Sequence, residues 1–140
     1  MTFGLIGVAC VLGLSALGSA IGAGIAGQAA IGAWKRNYMA NKPASFLLVI
    51  FAGAPLTQTI YGFILMGKML ESAKNDFFLL AAGIIGGISM AMSAVAQGQA
   101  GASSADAFGE TGQGFGLYIM VVGLCETVAL FVMAFTFGAL

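Results

Sequence analysis

The chain has 140 residues, 60% of them hydrophobic and only 7% charged, with five Lys or Arg balanced by five Asp or Glu. Soluble domains carry about 25% charged residues, so this composition excludes a soluble globular protein and points to one embedded in a bilayer. A zero net charge without a basic patch excludes a nucleic-acid partner, and the absence of histidine removes imidazole metal sites and the commonest general base.

Four apolar segments follow in order, at 3–33, 46–66, 77–97 or beyond, and 115–139. Each meets the requirement of about 20 residues for a spanning helix. The N-terminal segment lacks a basic leader region and is too long for a signal peptide; it is read as the first span. The fold class expected is therefore an all-α membrane protein of four transmembrane helices. Cys10 and Cys125 lie in apolar segments and read as small buried hydrophobes.

The first span is rich in glycine, with Gly18 and Gly22 four residues apart and Ser15 and Ser19 on neighbouring faces. Such small faces let helix backbones approach closely. The loop expected at 34–43 carries Lys35, Arg36 and Lys42, and Trp34 is an interface anchor. By the positive-inside rule this loop is cytoplasmic, which puts the 3–4 loop on the same side and both termini outside.

The second span holds Pro55-Leu56-Thr57-Gln58-Thr59-Ile60-Tyr61. Thr57 and Tyr61 are i,i+4 partners, as are Ala54 and Gln58, so they share one helix face. Pro55 has no N–H and blocks the bond to the carbonyl one turn earlier. That face offers a hydroxyl, an amide oxygen, a phenol and spare carbonyl oxygen. A short loop at 67–76 leads to the third span, which is again glycine-rich, with Gly83 and Gly87 followed by Ala91 and Ala94, and contributes Gln97. Gln28 and Gln99 are expected at the ends of spans 1 and 3, solvated or capping. A polar connection is expected at 103–114.

The fourth span contains Glu126, the lone formal charge in an apolar run from Tyr118 to Phe137. A carboxylate near mid-membrane costs roughly 2.5–3.5 kcal/mol on insertion scales and commonly marks an ion or proton path. Counted from the expected cytoplasmic ends, Gln58, Gln97 and Glu126 all lie roughly 15–18 Å deep, at 1.5 Å per residue. One carboxylate with several neutral oxygens suits a monovalent hard cation, since divalent ions prefer more carboxylates or waters. A proton would need only the carboxyl. The reading is Na⁺, with H⁺ as the alternative.

An internal repeat organises the chain. Shifted by about 70 residues, Gly53 and Thr57 fall on Gly123 and Thr127, and Gly13 falls on Gly83. Two tandem hairpins are expected, 1–70 and 71–140, each a glycine-rich helix followed by a bulkier one. Leu56 then occupies the place of Glu126.

These features together resemble the proteolipid (c or K) subunit of V-type and archaeal-type rotary ATPases, with the nearest likeness in the sodium-pumping bacterial K subunits. The resemblance covers the whole chain and rests on Pro55-x-Thr57-Gln58-x-x-Tyr61, Gln97-Gly98 and Glu126. It implies Na⁺ held by the side chains of Thr57, Gln58, Gln97 and Glu126 and the backbone carbonyl of Ala54, with Tyr61 hydrogen-bonded to Glu126. It further implies a homo-oligomeric rotor ring in the cell membrane, partnered by a stator subunit and central-stalk subunits, with ATP chemistry in other subunits. A small four-helix cation or drug antiporter is the alternative from another class; there the carboxylate would be expected in the first span, and no repeat.

Overall fold

The computed structural model describes residues 2–140, and those residues are entirely helix and short connection. The helices are α1 (Phe3–Met39), α2 (Leu48–Gly53), α3 (Thr57–Glu71), α4 (Asp76–Thr111) and α5 (Phe115–Ala139). A 3-10 turn, Ala54–Leu56, joins α2 to α3. The turn is what Pro55 dictates: with no N–H to offer, the ladder tightens, and the Thr57 N–H bonds Ala54 O three residues back. With α2 and α3 counted as one span, Leu48–Glu71, four helices are long and apolar enough to cross a membrane.

The two long helices run parallel and touch backbone to backbone. Gly7 lies against Leu79 and Gly83, Gly18 against Ala91, Gly22 against Ala94 and Gly98, and Gly109 against Ala33. Glycine at these positions, facing small residues such as Ala33, Ala91 and Ala94, lets the two backbones come this close. Gly7, Gly18 and Gly22 of span 1 are thus packed on span 3 within one chain, whereas Gly13, Gly24, Gly27 and Gly32 meet nothing within 4 Å. α3 runs antiparallel to α1, with Gly62 packed on Ser15 and Pro55 beside Gly22. α5 runs antiparallel to α4 and buries little of itself, chiefly Val122 and Ala129.

Two apolar clusters form the core. One gathers Val8, Val11, Leu65, Met69, Leu79 and Met90. The other gathers Ala30, Ala33, Leu48, Phe51, Phe108 and Val122. Between them lies a layer of fully buried polar side chains, including Gln58 and Gln97. Large apolar side chains cover the outside, among them Phe46, Phe77, Ile85, Leu117, Leu124 and Phe135. A surface of that kind needs lipid or a neighbouring protein against it.

Helix ends depart from the sequence expectation. α1 continues through 34–39, where a loop was expected, α3 runs on to Glu71, and α4 continues through 103–111. Hydropathy marks the stretch that meets hydrocarbon, and a helix that projects into water shows no such mark. The α1 and α4 projections pair through Arg36 and Asp106, both half-exposed, which puts the α1–α2 and α4–α5 connections at one end of the bundle. Gln28 and Gln99 lie inside helices α1 and α4, exposed on the single chain, so neither caps a helix end. The ends that do exist carry their own signals. The Asn75 side chain accepts from the Phe78 N–H at 2.8 Å, an N-cap. Gly112 stops α4 at φ 66°, in the left-handed region glycine tolerates.

Candidate functional site

The polar layer is built from three helices. Glu126 projects from α5, half-buried, and accepts two hydrogen bonds. The Tyr61 hydroxyl of α3 donates to Oε1 at 2.6 Å, and Gln97 Nε2 of α4 donates to Oε2 at 3.2 Å. Gln97 Nε2 also reaches Val122 O at 3.1 Å. Gln97 Oε1 accepts from Gln58 Nε2 at 2.8 Å. The chain of contacts thus runs from Glu126 through Gln97 to Gln58.

Beside it sits a group of three oxygens. Thr57 Oγ1 lies 3.1 Å from Ala54 O and 3.2 Å from Gln58 Oε1. The Thr57 hydroxyl turns back on the carbonyl three residues earlier, at the start of the 3-10 turn. Each of the six residues singled out in the sequence (Ala54, Thr57, Gln58, Tyr61, Gln97 and Glu126) therefore falls in one contiguous cluster. The two cysteines take no side-chain part in it, although Cys125 lends its carbonyl.

Sequence reasoning missed Ser93. Its hydroxyl donates to Cys125 O at 2.6 Å and accepts weakly from Gln58 Nε2 at 3.4 Å. It ties α4 to α5 one turn from Gln97. The signal was present: Ser93 precedes Gln97 by four residues and so shares its face. In a helix of glycine and alanine, however, a serine reads as one more small packing residue.

The cluster holds one formal charge and several neutral oxygens. Among the described residues there is no group of three or more His, Cys, Asp or Glu that could hold a metal ion, so the donor set is not that of zinc or a transition metal. Both Glu126 oxygens face donors, Tyr61 on one and Gln97 on the other. Carbonyl, hydroxyl and amide oxygens at mutual distances near 3 Å are what a hard, weakly charged cation asks of a protein in place of its hydration shell.

The two halves of the chain share a local device. Thr127 Oγ1 donates to Leu124 O at 2.7 Å, three residues back. Thr57 does the same to Ala54. In the same register Leu56 stands where Glu126 stands, with 52% of its surface exposed.

Comparison with known proteins places these observations. The family model for the C subunit of ATP synthase matches residues 6–66 and 80–138. The K subunit of the A-type ATP synthase of Methanocaldococcus jannaschii is 31% identical over 134 residues, which cover 94% of this chain and 58% of that protein. The chain spans a little over half the length of that relative.

Proposed function

The chain belongs to the family of ATP synthase C subunits, and from that premise we propose that it is the ion-carrying subunit of a membrane rotor ring, binding and translocating Na⁺ at Glu126. The observation that carries the ion choice is the oxygen group Ala54 O, Thr57 Oγ1 and Gln58 Oε1, joined to the carboxylate through Gln97. A proton carrier has no use for those oxygens.

In this reading copies of the chain close head to tail into a ring. Na⁺ enters between the Glu126 carboxylate and the neutral oxygens of Thr57, Gln58, Gln97 and Ala54. The site becomes neutral overall and can pass lipid as the ring turns. Tyr61 holds the carboxylate in place. A stator subunit with a basic residue facing Glu126 releases the ion into an aqueous path, and central-stalk subunits couple the turning to ATP chemistry carried out elsewhere. The chain itself carries out no catalysis. Lys35, Arg36 and Lys42 put the α1–α2 connection in the cytoplasm, together with the α4–α5 connection, and both termini outside.

The test is carbodiimide labelling of Glu126 in the purified protein, across pH, with and without Na⁺. These reagents attack a protonated carboxyl. Protection by Na⁺ and not by K⁺ is the expected result. Labelling that follows pH alone would make the carried ion H⁺, the second reading. A stable dimer in mild detergent, in place of a large oligomer, would sink the rotor and favour the antiporter.

Removing single ligands sharpens the result. Gln58→Leu or Gln97→Leu is expected to raise the half-protecting Na⁺ concentration by about ten- to a hundredfold, since a polar contact to a charge is worth roughly 1.5–3 kcal/mol. A proton carrier would lose little by either change. Tyr61→Phe deletes the 2.6 Å bond to Glu126 and keeps the aromatic ring in place; about a tenfold rise is expected, read by the same titration.

A further inference from the structure

Ser19 is buried in α1, with 2% of its surface exposed, and its hydroxyl has no hydrogen-bond partner. Buried polar atoms are nearly always bonded. Other helical hydroxyls here turn back on their own helix: Ser15 to Leu12 O, Ser89 to Ile85 O and Ser104 to Ala100 O. Ser19 does not.

Its level in the bundle is fixed from both sides. A Cβ on Gly62 would meet Ser15 Oγ at 2.0 Å, and a Cβ on Gly22 would meet Pro55 Cβ at 2.9 Å. α1 and α3 are antiparallel between those two points. Ser19 lies one turn beyond Ser15, and Gln58 lies one turn before Gly62. Ser19 and the fully buried Gln58 therefore share a level on facing helices.

Gln58 has a reason to need a further partner. Its Nε2 donates to Gln97 Oε1 and only weakly to Ser93 Oγ at 3.4 Å. A cation coordinated by Gln97 Oε1 competes with Gln58 Nε2 for that same oxygen. Gln58 must also keep its own Oε1 on the ion, so its amide cannot simply turn over. The displaced N–H groups then require an acceptor on the far side of the amide. A hydroxyl oxygen can accept while still donating.

We propose that Ser19 Oγ is that acceptor, making Ser19 a positioning residue that holds the Gln58 amide with its oxygen toward the bound cation. The inference rests on the Na⁺-site reading above and adds to it a residue of α1, a helix from which no ligand has been assigned.

The experiment is a Na⁺ titration of carbodiimide labelling at Glu126 in the purified oligomer, comparing wild type, Ser19→Ala, Ser19→Cys and Ser15→Ala. Ser19→Ala is expected to raise the half-protecting Na⁺ concentration about tenfold. The pH profile of labelling in sodium-free buffer should stay where it is in wild type, because Ser19 touches the amide and not the carboxylate. Ser19→Cys, with a weak acceptor of similar shape, should fall between. Ser15→Ala, whose hydroxyl is already bonded to Leu12 O, should match wild type. If wild type is protected and Ser19→Ala is protected at the same Na⁺ concentration, Ser19 only packs and the proposal fails. An equal weakening in Ser15→Ala overturns it too, as a general loosening of α1 against α3. If Na⁺ does not protect wild type, the Na⁺ reading itself has failed and takes this inference with it.

Discussion

Glu126→Gln is expected to give a protein that folds, carries no ion and takes no carbodiimide label. The amide has nearly the shape of the carboxylate, and its oxygen can still accept from Tyr61 or Gln97. What disappears is the one negative charge in the polar layer. At about 4 Å and an effective dielectric near 20, a unit charge pair is worth about 4 kcal/mol, so the affinity for a monovalent cation should fall about a thousandfold. Uptake of Na⁺ by vesicles carrying the reconstituted complex should drop to the background of empty vesicles, with the protein's elution from a sizing column unchanged. Glu126→Asp keeps the charge and withdraws it by one methylene from Tyr61, so weak residual uptake is expected. Uptake persisting in Glu126→Gln would show that the carboxylate is not the carrier.

Gly98→Ala is expected to be among the most damaging single methyls in the chain. A Cβ there would stand 2.2 Å from Gly22 O, 2.4 Å from Gly22 Cα and 2.6 Å from Gly22 C. All three are backbone atoms and none can rotate away, so the helices must separate. Overpacking ordinarily costs 1–3 kcal/mol; a clash with main chain on both sides of a parallel helix pair should reach about 3 kcal/mol or more. The shift also moves Gln97, the adjacent residue, off Glu126. Gly67→Ala supplies the contrast: nothing lies within 4 Å of its Cβ position, and alanine is the better helix former by about 1 kcal/mol. Thermal unfolding in detergent should show a large loss for Gly98→Ala and none for Gly67→Ala. Equal midpoints would mean that the α1–α4 seam is looser than described.

The four spans were legible in the apolar runs alone, because burial in hydrocarbon demands length and composition together. The ends of α1 and α4 were not. Residues 34–39 and 103–111 are polar enough to read as loop, yet a helix already nucleated inside the bilayer continues into water at little cost. The polar cluster was legible for a different reason. Gln58, Gln97 and Glu126 each carry a large polar group in an apolar setting, and equal depth suggested one site. Ser93 and Ser19 share that layer and went unread as site residues, since a small hydroxyl among glycines and alanines is equally consistent with close packing. Nor could glycine spacing tell which partner each glycine meets. That Gly22 sits on Gly98, and Gly7 on Gly83, follows from the parallel run of α1 and α4, a relation between segments more than 70 residues apart.

The exposed Leu56 in the position matching Glu126 bears on gearing. In the proposed rotor each four-helix copy presents one carrier, where a carboxylate in both hairpins would present two. For a ring with a given number of helices, one full revolution then moves half as many ions. The free energy released per revolution is divided among fewer charges, each worth about 2.3 kcal/mol per 100 mV. Halving the charges doubles the voltage at which the machine stalls. In the proposed rotor, a leucine in place of a second glutamate would thus set a low gear, suited to driving ions uphill against a steep gradient.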